Sequence, residues 1–118
     1  MAFDKQIRLL ERLVYKTRIS EIEWKRTAED GVFQVILRKN TVKLRMTPPS
    51  GTSEMYTIEL VDSTGEVADS FNDADLDNEV YGQADQEYYR MMKGLYETSR
   101  RQAFGSDKVL NEILRDLE

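Results

Sequence analysis

The chain has 118 residues, of which 40% are hydrophobic and 33% charged, with formal net charge −5 and neither histidine nor cysteine. That length sets one domain over residues 1–118 with one core, and the composition is that of a globular rather than a disordered chain. Without Cys or His there is no disulfide framework, no thiolate or imidazole metal site and no conventional nucleophile–base pair, so neither a cofactor nor a catalytic residue is expected.

The N-terminus, Met1-Ala2-Phe3-Asp4-Lys5, carries charges every few residues, unlike the apolar stretch of a signal peptide. Nowhere do about 18 apolar residues run together. The expectation is a soluble, cytoplasmic protein with no membrane partner. From Phe3 to Arg18, Ile7, Leu10 and Val14 step by three or four, with Leu9 and Leu13 widening the stripe, which predicts an amphipathic helix. Ser20 to Thr27 alternates apolar and charged residues and predicts a short strand with Ile22 and Trp24 on one face.

Val32–Lys39 and Thr41–Thr47 are β-rich runs separated by Lys39-Asn40, a tight hairpin in which asparagine would take positive φ. Alternation offers Phe33, Val35, Leu37, Val42, Leu44 and Met46 to the helices. Pro48-Pro49-Ser50-Gly51-Thr52-Ser53 reads as a loop. Tyr56–Val61 and Glu66–Phe71 flank the turn residues Asp62-Ser63-Thr64-Gly65 as a second hairpin. After an acidic connector, Asn72–Glu79, a long helix is expected over Ala84–Phe104. Gly105 caps it, and Val109, Leu110, Ile113, Leu114 and Leu117 stripe a final short helix. The predicted class is α+β: an N-terminal helix, a four- to five-stranded antiparallel sheet of two hairpins, and a long C-terminal helix plus a short final helix packed on one sheet face.

Charge is segregated, with net +5 over residues 1–50 and −10 over residues 51–118. The simplest reading is that the halves complement each other within one fold or between protomers. On the first hairpin, Ile36, Arg38, Lys43 and Arg45 fall on the face away from the core, with Lys25 and Arg26 nearby. This is a candidate basic surface for phosphate or an acidic partner. Its alternative role is to keep an open sheet soluble, and no aromatic interleaves the cations to stack single-stranded bases. Asp73-Ala74-Asp75-Leu76-Asp77 imitates the start of a calcium loop. However, Asn78 stands where that loop needs glycine and Ala84 where it needs a bidentate Glu. Arg100-Arg101 suit the C-terminal end of a helix dipole. Tyr88, Tyr89, Met91, Met92 and Tyr96 give the long helix apolar residues on two sides, predicting either a sandwiched core helix or a homodimer interface.

The run Ile7-Arg8-Leu9-Leu10-Glu11-Arg12-Leu13 through Glu23-Trp24-Lys25, with Arg100-Arg101-Gln102-Ala103 and an acidic amphipathic tail, resembles a group of small bacterial proteins of unknown function. That resemblance implies no catalytic residues. The chain is also similar to acidic dimeric chaperones of type III secretion, although here the strands form one uninterrupted block. The function expected is a non-enzymatic protein–protein interaction module, regulatory or accessory, acting on another protein and as a homodimer. The alternatives are a nucleic-acid binder using the basic hairpin face and an enzyme built on carboxylates such as Asp62, Asp69 or Asp73.

Overall fold

The N-terminal stripe folds into helix α1 (Asp4–Arg18), with Asp4 in its first turn and Lys16 and Arg18 in its last, each complementing the helix dipole. The computed structural model describes residues 2–49, 53–82 and 84–118, so Ser50, Gly51 and Thr52 of the expected proline-led loop lie outside the described residues. The face that α1 buries most deeply is Leu10, Leu13 and Thr17. Thr17 is there because its Oγ1 accepts a 2.9 Å bond from the indole N–H of Trp24, which is itself wholly buried.

The strand expected over Ser20–Thr27 contracts to β1 (Lys25–Arg26). Ser20 takes a positive φ of 60° at the exit from α1, which turns the chain. The Trp24 backbone N–H is then given to Gln102 Oε1 at 3.1 Å rather than to a ladder. Strands β2 (Val32–Leu37), β3 (Asn40–Thr47), β4 (Met55–Val61) and β5 (Val67–Asn72) follow. All five pair antiparallel in sequence order. Leu37 pairs with Asn40, so the two hairpin residues are Arg38 and Lys39, and the positive φ falls on Arg38 at 45°. Asn40, expected in the turn, opens β3 instead.

One lateral row crosses the whole sheet on its core side: Arg26, Phe33, Leu44, Ile58 and Phe71. Of the six residues expected to face the helices, Phe33, Val35, Val42 and Leu44 are buried and Met46 packs against the core from its edge. Leu37 does not follow them. It ends β2 beside the hairpin, opposite exposed Asn40, where the cover ends.

The connector expected over Asn72–Glu79 is a helix, α2 (Asp73–Tyr81). Its start is a capping box: Asn72 Oδ1 accepts from Asp75 N–H at 2.8 Å, and Asp75 Oδ2 accepts from Asn72 N–H at 3.1 Å. Helix α3 (Glu87–Phe104) and helix α4 (Ser106–Leu117) complete the chain. The class is therefore α+β, with the helices gathered on the sheet around one core that runs from Leu10 and Trp24 through the strands to Leu76, Met92 and Tyr96. Among the described residues no helix is long and apolar enough to cross a membrane.

Candidate functional site

The acidic segment that imitates a calcium loop is committed to backbone donors. Asp73 Oδ1 accepts from Tyr56 N–H at 2.8 Å, while the two oxygens of Asp77 accept from Tyr88 and Tyr89 N–H at 2.8 and 3.1 Å. Asp73 and Asp77 are buried, and burial pushes the Asp73 carboxyl above the usual carboxylate range, with its neighbours Asp77 and Asp75 adding to the rise. Asp62 closes its turn by accepting from Thr64 and Glu66, and Asp69 accepts from Gln6 Nε2. The three carboxylates considered for catalysis thus sit in separate structural roles. Among the described residues no group of three His, Cys, Asp or Glu side chains is arranged to hold a metal.

Glu54 joins β4 to α3. One of its oxygens accepts from Tyr89 OH at 2.7 Å and from Tyr56 OH at 2.8 Å, and Lys93 Nζ lies 3.7 Å away. The Tyr89 hydroxyl above all, then the backbone and Tyr56, hold the Glu54 carboxyl at about 2, and the same contact pushes Tyr89 up to about 12. A depressed carboxyl contributes stability that is complete above its unfolded value of about 4.5 and is lost as pH falls towards 2. Urea titrations of the native chain and Glu54→Gln should therefore show a stability difference that is constant above pH 5 and shrinks between about pH 4.5 and 2. A difference that stays constant through that window would mean that the Tyr89 and Tyr56 hydroxyls do not stabilise the folded Glu54 carboxylate.

The basic hairpin face exists in outline, but its charge is paired. Arg45 contacts Glu29 at 2.5 Å and Glu59 at 2.9 Å, and this holds the Glu29 carboxyl below its ordinary range. Lys43 stands in register with Glu59, and Lys25 pairs with Glu23 at 3.0 Å. Arg26 is not on that face at all. It belongs to the core-side row, with its guanidinium 4.3 Å from the Phe104 ring centroid. Arg38 sits in the hairpin turn, and Ile36 is 65% exposed. The structure thus brings Arg45 and Lys43 together, but among carboxylates rather than as a free cationic patch. The pairing was invisible in the sequence because Glu29 and Glu59 lie 16 and 14 residues from Arg45.

Of the long-helix residues, three go to the core and two to its margin. Tyr88, Met92 and Tyr96 are buried in the core. Tyr89 and Met91 pack at its margin, and Tyr96 OH donates to Gly31 O at 3.0 Å. Helix α3 thus packs against α1, α2 and the sheet, while Arg90, Met91 and Gly94 also line a groove beside α1.

Five of the exposed large apolar side chains lie together on α4. Gly105, left-handed at φ 62° and ψ 37°, is at once the C-cap of α3 and the residue before α4, so a single residue redirects the chain. Arg101 braces the joint through a 2.6 Å pair with Asp107. No residue of α4 is buried. Val109, Leu110, Ile113 and Leu114 are each about half exposed and Leu117 is 79% exposed. At 3.6 residues per turn these five share one side, Asp107, Asp116 and Glu118 fall along its edges, and Lys108 and Arg115 lie at the back.

Beside the joint a groove of about 790 Å³ runs between α1 and α3 and ends against the first turn of α4. Val14, Met91, Gly94 and Leu95 give it an apolar lining, and Arg18, Arg90, Arg101 and Lys108 also line it. Gly94 is exposed on α3, and a Cβ built on it meets nothing within 4 Å. No family model, no curated protein and no solved structure matches this chain.

Proposed function

We propose that the chain is a non-enzymatic protein–protein interaction module whose docking element is the apolar side of α4. The observation that carries this reading is the stripe itself: five aliphatic residues at helical spacing, none of them buried. Such a helix has little reason to persist alone, since twelve residues without tertiary support are marginal in water. An apolar stripe with a polar rim is the surface by which helices dock on partners. Covering five half-exposed aliphatic side chains removes apolar surface worth about 4–7 kcal/mol from water, before ordering and association costs are subtracted. The paired state of the Arg45 cluster gives the nucleic-acid reading no comparable support.

The test compares the native chain with Leu110→Asp/Ile113→Asp as baits for chemical cross-linking in native cell extract and in purified solution. The expected result is a cross-linked partner, a second copy or another protein, that is bridged to α4 in the native chain and absent with the variant, both baits melting alike. A partner retained equally by both baits would overturn the assignment of α4.

A further inference from the structure

We infer that the partner of α4 is a second copy of this chain: α4 of each protomer docks in the α1–α3 groove of the other. This rests on the reading of α4 as the docking element. The groove and the helix match in three independent ways. The first is length. The α3 side of the groove runs from Arg90 to Gly105, about 22 Å of helix, and α4 is about 18 Å long.

The second is charge. The stripe of α4 is edged by Asp107, Asp116 and Glu118, and among the described residues the groove is lined by Arg18, Arg90, Arg101 and Lys108 against the single carboxylate of Asp107. Arg90 and Arg101 already pair with Asp85 and Asp107, but through exposed contacts that cost little to exchange.

The third is Gly94. A glycine within a long helix lowers helix stability relative to alanine. Among the described residues no neighbour in this protomer lies close enough to demand it, because its Cβ would meet open groove. A bare backbone at that point admits the close approach of another helix.

The chain's own α4 does not fill the groove, because Ser106, Asp107 and Lys108 form its end wall and Gly105 turns the helix out of it. Interfaces that hold in solution bury roughly 1,000 Å² or more. A two-fold exchange supplies the helix-in-groove contact twice.

Sedimentation velocity from about 1 to about 100 µM brackets a micromolar contact. The native chain should pass from monomer to dimer, with the dimer weakened at high salt. Leu110→Asp/Ile113→Asp, which loses the helix side, and Gly94→Glu, which fills and recharges the groove while improving helix propensity, should each stay monomeric without a lowered melting temperature. Mixed in equal amounts, these two variants should form a heterodimer weaker than the native dimer and populated at the upper end of the range, since one of the two helix-in-groove contacts is restored. If α4 instead paired with α4, Gly94→Glu would dimerise alone and the mixture would gain nothing, which overturns the groove. A native chain that stays monomeric throughout, yet cross-links another protein through α4, overturns the second-copy inference and leaves the docking reading standing. A monomer that captures nothing through α4 removes both.

Discussion

Replacing Trp24 by alanine is expected to lower the unfolding free energy by about 3–5 kcal/mol, a large fraction of what holds a domain of this size. Trp24 is the largest side chain with no exposure, and it is where the N-terminal helix meets the rest of the fold. Its indole N–H goes to Thr17 on α1 and its backbone N–H to Gln102 on α3. Truncation removes packing area and the indole donor together, and leaves a void that the rigid sheet edge at β1 cannot close. Urea denaturation monitored by far-ultraviolet circular dichroism measures the loss. Trp24→Phe should recover most of it, leaving a deficit of about 1–2 kcal/mol from the missing hydrogen bond and the smaller ring. A loss below about 1 kcal/mol for Trp24→Ala would mean that α1 is not anchored there.

Asp77→Ala is expected to cost about 2–4 kcal/mol. The carboxylate spans two backbone donors at the start of α3, Tyr88 N–H and Tyr89 N–H, and is itself buried. A helix leaves its first N–H groups without intrahelical partners, and here α2 supplies the acceptor, so one side chain fixes the angle between two helices. Alanine leaves both donors without the acceptor that satisfies them at a largely buried helix start. Asp77→Asn keeps one acceptor oxygen and should lose about half as much. If alanine cost no more than a surface substitution, roughly 0.5 kcal/mol, the junction would be carried by apolar packing of Leu76 and Tyr88 alone.

The elements with strong periodicity were legible in the sequence. The stripe of α1, the alternation of β2 to β5 and the length of α3 all appear within a few residues of their expected bounds. Helix α2 was not, because between Asn72 and Tyr81 the acidic residues swamp the apolar signal, leaving only Leu76, Val80 and Tyr81. The signal for it is the Asn72–Asp75 capping pair, which lies in the segment expected to be an acidic connector. At the first hairpin the turn residues were displaced by one, because asparagine's tolerance of positive φ was allowed to outweigh the register that the paired side chains impose.

The candidate site was less legible than the fold. The sequence grouped Arg45 with Lys43 correctly but had no view of Glu29 and Glu59, which the sheet brings against them. It marked Tyr88, Met92 and Tyr96 as apolar on two sides of a helix, and it is the packing of α3 against α1, α2 and the sheet that makes them core. The stripe of α4 was plain as a pattern. Whether anything covers such a stripe depends on where the preceding joint points the helix, and that is set by the backbone of Gly105 rather than by any periodicity.

Hydrogen exchange of the α4 amides, followed from dilute to concentrated protein, tests the docking role of that stripe most directly. The account predicts that residues 109–117 exchange fast in dilute monomer, as an unsupported short helix must. They should become protected as the chain associates, with α1 and α3 slow throughout. Protection of α4 equal to that of α3 in dilute monomer would contradict it by placing the stripe inside the chain's own core. So would fast exchange of α4 within an associated state.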